Sequence, residues 1–69
     1  MSPRLSALCK TGWHCAILIA EDQQMRDRLT LPQLLRVEIA SRRGPERLSV
    51  EDAGDMVALF AMASGVGGE

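Results

Sequence analysis

One stretch near the C-terminus decides the fold: residues 49–65 read SVEDAGDMVALFAMASG. Ser49 is a favourable helix N-cap, and the acids that follow it suit the positive end of a helix dipole. From Met56 to Ala63 no side chain is charged or strongly polar, and Gly65 is a residue that commonly ends a helix. The stretch therefore predicts one capped helix that is apolar all round beyond its first turns.

A second helix is predicted immediately upstream by the same capping chemistry. Thr30 followed by Gln33 is a capping box, in which each side chain satisfies the backbone amide of the other residue. Gly44, followed by proline, is expected to end this helix. Four apolar residues at helical spacing are predicted to form its buried stripe: Leu31, Leu34, Leu35 and Ile39.

The first helix is predicted from about residue 13 to residue 28. An earlier helical segment over residues 3–10, capped by Ser2, is left open, because Gly12 is expected to kink the helix or to restart it. The run HCAILIA over residues 14–20 could also form a short buried strand. A lone strand has no partner in this sequence, so the helix is preferred.

These elements predict an all-α fold, a small three-helix bundle in a single domain over residues 1–69 with a flexible tail over about 65–69. A chain of 69 residues builds only a modest core, which favours a dimer. Only two aromatic side chains are present, and the core is therefore expected to be aliphatic. The predicted core stripe of the third helix is Val50, Ala53, Val57 and Phe60, with Met56 beside it.

Charge and composition exclude several classes of protein. The formal net charge of −1 gives no bulk attraction to nucleic acid or to an anionic membrane. No apolar run is long enough to predict a membrane span, and no signal peptide is evident. We therefore expect a cytoplasmic protein with free thiols. Arginine outnumbers lysine seven to one, which suggests a GC-rich bacterial or bacteriophage genome.

Cys9, His14 and Cys15 are the residues that most invite a chemical interpretation, as metal ligands or as a nucleophile with its base. On a continuous helix the three side chains point in different directions, and their spacing is not that of a structural zinc site. The sequence also lacks a glycine-rich phosphate loop that leads into a helix. We therefore expect no enzyme activity, no metal and no cofactor.

An arginine cluster surrounds the end of the second helix: Arg36, Arg42, Arg43 and Arg47. These residues could form a solvated face, or they could bind carboxylates of a protein partner, which suit the planar guanidinium group. Nucleic acid is the third possibility, with the second and third helices as a helix-turn-helix-like DNA-binding regulator. The acids at the start of the third helix oppose that alternative, because a recognition helix meets phosphates and base edges there.

The apolar third helix suggests a site for association. A bundle of this size cannot easily cover such a helix on all sides, and Met56, Leu59 and Met62 are the candidates to emerge at the surface. With the arginine cluster, they are the predicted partner-binding residues. The sequence therefore predicts a non-enzymatic protein-protein interaction module, a small regulator, adaptor or inhibitor, which is expected to be a homodimer.

Overall fold

The computed structural model describes the backbone of residues 3–65 and the side chains of residues 7–65. Over this range the chain forms four α-helices: α1 (Pro3–Glu21), α2 (Gln23–Asp27), α3 (Leu31–Arg43) and α4 (Val50–Ser64). A short 3₁₀ turn, Pro45–Arg47, connects α3 to α4. The all-α prediction is confirmed, with three long helices and one short helix. The predicted Ser2 cap and the tail beyond Gly65 lie outside the described residues.

The first helix begins and ends earlier than predicted. It runs without interruption through Gly12 and ends at Glu21. Asp22 has extended backbone angles, and its carboxylate accepts a hydrogen bond from the Met25 amide at 3.2 Å. Asp22 is therefore an N-cap that starts α2, so the expected single helix over residues 13–28 is divided in two.

Gly12 does not kink α1 but allows the helix to pack closely against α4. A Cβ atom at this position would lie 2.6 Å from the Cα atom of Ala53 and 2.7 Å from its carbonyl oxygen. Only a glycine lets the backbones of α1 and α4 approach this closely. This close approach of the two helices thus depends on the residue that the sequence suggested as a break.

The predicted caps of the two later helices are confirmed. At the start of α3, the Thr30 amide donates to Gln33 Oε1 at 2.8 Å, and the Gln33 amide donates to Thr30 Oγ1 at 3.4 Å. Ser49 Oγ accepts from the amide three residues on, at 3.0 Å. Gly44 and Gly65 end the helices with φ values of 88° and 79°, which glycine tolerates best.

The central element is α1, which packs extensively against α4 and also contacts α3 and the 3₁₀ turn, whereas α3 and α4 contact each other little. The prediction of Val50 as a core residue is wrong, because Val50 is exposed at the start of α4. Val57 and Phe60 are half-buried against the core. The buried apolar residues are Cys9, Cys15, Ala16, Ile19, Leu29, Val37, Ala40, Leu48, Ala53, Met56 and Ala63.

The orientation of α3 differs most from the prediction. Val37 and Ala40 are its buried residues, and the Trp13 indole of α1 donates to the Ser41 carbonyl of α3 at 3.2 Å. This hydrogen bond holds the Val37 side of α3 against α1. The predicted core stripe is consequently turned outward, and of its four members only Leu34 packs partly against the core.

Candidate partner-binding surface

The outward side of α3 carries an apolar row, which we call the α3 stripe: Leu31, Leu35 and Ile39. Their side chains are 77%, 64% and 49% exposed. They follow one another at intervals of four residues, so they lie along one side of the helix over about 12 Å. Three neighbouring apolar side chains left exposed on one helix make this row a candidate interaction surface.

A groove between α3 and α4 adjoins the stripe at Ile39. Its volume is about 190 Å³, and its lining is Arg36, Ile39, Ala40, Arg43, Leu48, Asp52 and Met56. Ala40, Leu48 and Met56 are buried and form an apolar floor, whereas both arginines are exposed on the α3 side. We call this feature the α3–α4 groove.

The charges at the groove are unequally satisfied. Arg36 pairs with Asp55 of α4 across 3.4 Å, and water reaches both side chains, which are 60% and 43% exposed, so the ion pair adds little stability. Arg43 lies within 4.0 Å of no carboxylate among the described residues. Its guanidinium group is therefore available to a carboxylate from outside the chain.

Glu38, the single acidic residue of α3, is already engaged. Its carboxylate lies 3.9 Å from Arg26 Nη1 and 3.8 Å from Arg42 Nη2. In the adjoining 3₁₀ turn, Glu46 and Arg47 are both exposed and neither forms an ion pair with another described residue. The C-terminal end of the α3 stripe is therefore bordered by an excess of positive charge.

The three predicted partner-binding residues of α4 differ in exposure. Met56 is only 1% exposed and forms part of the core, so its expected emergence at the surface is wrong. Leu59 is half-buried and Met62 is exposed. Leu59 and Met62 follow Asp55 by four and seven positions, so both lie on the side of α4 that pairs with Arg36 of α3.

The predicted arginine cluster is divided by the fold. Arg36 and Arg43 line the groove together, as their seven-residue spacing suggests, whereas Arg42 lies beside Glu38 and Arg47 lies in the 3₁₀ turn. The helical spacing of Leu31, Leu35 and Ile39 predicts a buried row, and the structure instead exposes all three side chains. The available signal was a second apolar row on α3, formed by Val37 and Ala40.

The residues considered for catalysis or metal binding are separated from one another. The Cys9 thiol donates to the Leu48 carbonyl at 3.2 Å, and burial raises the pKa of the Cys15 thiol above its usual value. His14 is exposed, with its ring centroid 5.3 Å from that of Trp13. Within the described part of the chain, no three His, Cys, Asp or Glu side chains are grouped as a metal ion would require. The α3 stripe and the α3–α4 groove can make apolar contacts and can donate hydrogen bonds from guanidinium groups.

Neither a membrane-spanning helix within the described residues nor similarity to a known protein was found. Of the helices described over residues 3–65, none combines the length and apolar character needed to cross a membrane. Comparisons with protein-family models, curated proteins and solved structures found no match to this chain.

Proposed function

We propose that the protein is a non-enzymatic binding module that recognises another protein through the α3 stripe and the adjoining α3–α4 groove. In this role it acts as a small regulator, adaptor or inhibitor in the cytoplasm of a bacterium or of a cell infected by a bacteriophage. The free thiols Cys9 and Cys15 agree with a reducing compartment. A second copy of the chain is one candidate partner.

The observation that carries the proposal is the exposure of the α3 stripe. Leu31, Leu35 and Ile39 are left largely in water, although the same helix buries the smaller side chains of Val37 and Ala40. Apolar area exposed in this way costs free energy until another surface covers it. The arrangement therefore supports a role in association, with α3 as the principal binding helix in place of α4.

The alternative of a DNA-binding regulator has less support. In a helix-turn-helix arrangement α4 would be the recognition helix, yet it is the principal packing partner of α1. Its first turn carries Glu51 and Asp52, which would repel phosphates. Both arginines that line the groove, Arg36 and Arg43, lie on α3 and not on α4.

The test uses Leu35→Glu with a matched control, Leu18→Glu. Leu18 is 49% exposed on α1 and has no place in either binding surface. Each tagged full-length variant is used to capture proteins from a lysate of its source organism, and sedimentation velocity measures self-association. We expect Leu35→Glu to lose partner capture or self-association by about tenfold, since it places a charge in the apolar contact.

Leu18→Glu should retain both properties at the level of the parent, and circular dichroism should show both variants fully helical. An equal loss of partner capture or self-association in the two variants would mean that any charge added to an exposed apolar position has this effect, and not one at the α3 stripe in particular. Retention of every partner by Leu35→Glu would refute the α3 stripe as the binding surface.

A further inference from the structure

We infer that the occupant of the α3 stripe is an amphipathic helix that carries carboxylates at one end. This inference rests on the proposed function and specifies the partner. The partner helix lies along Leu31, Leu35 and Ile39, and its acidic end meets the guanidinium groups of Arg42 and Arg43.

The apolar part of the argument concerns shape. The stripe is straight, about 12 Å long and formed by side chains at regular intervals of four residues. A partner helix presents its own apolar side chains at intervals of three and four residues, so two rows of this kind can interdigitate along their length. Beside Ile39 the groove opens onto a buried apolar floor formed by Ala40, Leu48 and Met56. One large apolar side chain of the partner can enter there.

The electrostatic part of the argument concerns the end of the stripe. Helix α3 contains three arginines and one glutamate, and that glutamate, Glu38, is already shared between Arg26 and Arg42. Arg43 has no carboxylate within 4.0 Å among the described residues, and Arg42 makes a single long contact at 3.8 Å. Carboxylates are the groups that match the planar donor fork of arginine.

The same charges oppose a second copy of the chain as the occupant. Two copies that met through the α3 stripe would place two helices of net positive charge side by side. Like charges across an interface disfavour the pairing. An acidic helix supplies the opposite charge with the same apolar contacts.

The probe is a displayed library of helical peptides of about 16 residues, with leucines fixed at helical spacing and the remaining positions varied among Glu, Lys, Gln and Ala. Peptides are selected on the full-length protein, and their affinities are measured by fluorescence anisotropy. We expect the selected peptides to concentrate glutamate at one end. Their affinity should fall as the salt concentration rises, because exposed charge pairs are screened.

Three variants then locate the binding site. Leu35→Gln removes apolar contact without adding charge and should weaken binding by about tenfold, whereas Leu18→Gln should stay within about twofold of the parent. Arg43→Glu should weaken the acidic peptides by about tenfold and should improve the binding of lysine-rich peptides of the same pattern.

Selected peptides that are neutral or basic would overturn the inference, as would binding that is indifferent to Leu35 and Arg43. If the parent protein is a dimer and Leu35→Gln dissociates it, the occupant of the α3 stripe is a second copy of the chain, and the inference of an acidic helix is overturned. If capture of proteins from the lysate depends on Leu35 while the library yields no acidic helix, the proposed protein-binding function is retained. The inference that the partner is an acidic helix is then wrong.

Discussion

Replacing Gly12 by alanine should destabilise the protein, although alanine is the better helix former. Two glycines lie in the interiors of long helices, Gly12 in α1 and Gly54 in α4. A Cβ atom at Gly12 would lie 2.6 Å from the Cα atom of Ala53, whereas a Cβ atom at Gly54 would meet no atom of another element within 4 Å. Both substitutions replace glycine by alanine in a helix. Because only Gly12 faces the backbone of another helix, the two should change the free energy of unfolding in opposite directions.

The magnitudes follow from two opposing contributions. In an open helix interior, glycine to alanine stabilises by about 1 kcal/mol, which is our expectation for Gly54→Ala. At Gly12 the same gain is opposed by overpacking, which costs about 3 kcal/mol where the obstruction is the backbone of another helix. The net effect of Gly12→Ala is then a loss of about 2 kcal/mol. In a domain of this size each kcal/mol shifts Tm by about 4–8 °C.

Urea denaturation followed by far-UV circular dichroism measures both variants against the parent. The fluorescence of Trp13 gives a second probe, because its indole bridges α1 and α3. A Gly12→Ala variant as stable as Gly54→Ala would mean that α1 and α4 do not approach closely at Ala53. Destabilisation of both variants to the same extent would equally refute the reasoning.

Three further outcomes are expected from local features of the structure. Thr30→Ala and Ser49→Ala should each lose about 1 kcal/mol in chemical denaturation, because a helix amide loses its acceptor; two unchanged variants would contradict the caps. Arg28→Ala should also lose about 1 kcal/mol, since Arg28 Nη1 donates to the Ala63 carbonyl at 2.7 Å near the end of α4, and hydrogen exchange should speed up selectively in that last turn. Burial raises the pKa of the Cys15 thiol, so its contribution to stability should be complete below the ordinary thiol pKa and should decline as the pH rises through the raised value. Cys15→Ala should lack this decline in denaturation measured at alkaline pH, and a decline that persisted unchanged would point to another group.

The candidate surface was only partly predictable. Arg36 and Arg43 share one side of a helix at any rotation, so their joint presence in the groove follows from their spacing. The exposure of Met62 was anticipated because α4 has too many apolar residues for a small core to enclose. The burial of Met56 could not be predicted, since α4 is apolar on several sides and its sequence does not indicate which side faces α1.

The sequence by itself determined where α3 and α4 begin and end. Thr30 and Ser49 bond to amides three residues away, and Gly44 and Gly65 adopt positive φ values at the ends of their helices. Such caps are formed by residues close together in the sequence, so they depend little on how the helix packs against the rest of the protein. Asp22 starts α2 by the same chemistry, but it lacks the reciprocal glutamine or glutamate of a capping box, and its signal was therefore weaker.

Only the tertiary structure decided which side of each helix is buried. Helix α3 has two apolar rows, and the hydrogen bond from Trp13 to the Ser41 carbonyl, between residues 28 positions apart, accompanies the burial of the smaller row. Whether Gly12 marks a kink or a close contact likewise depended on Ala53 of another helix. Helical periodicity specifies which residues share a face, whereas the burial of that face depends on neighbours that are distant in the sequence.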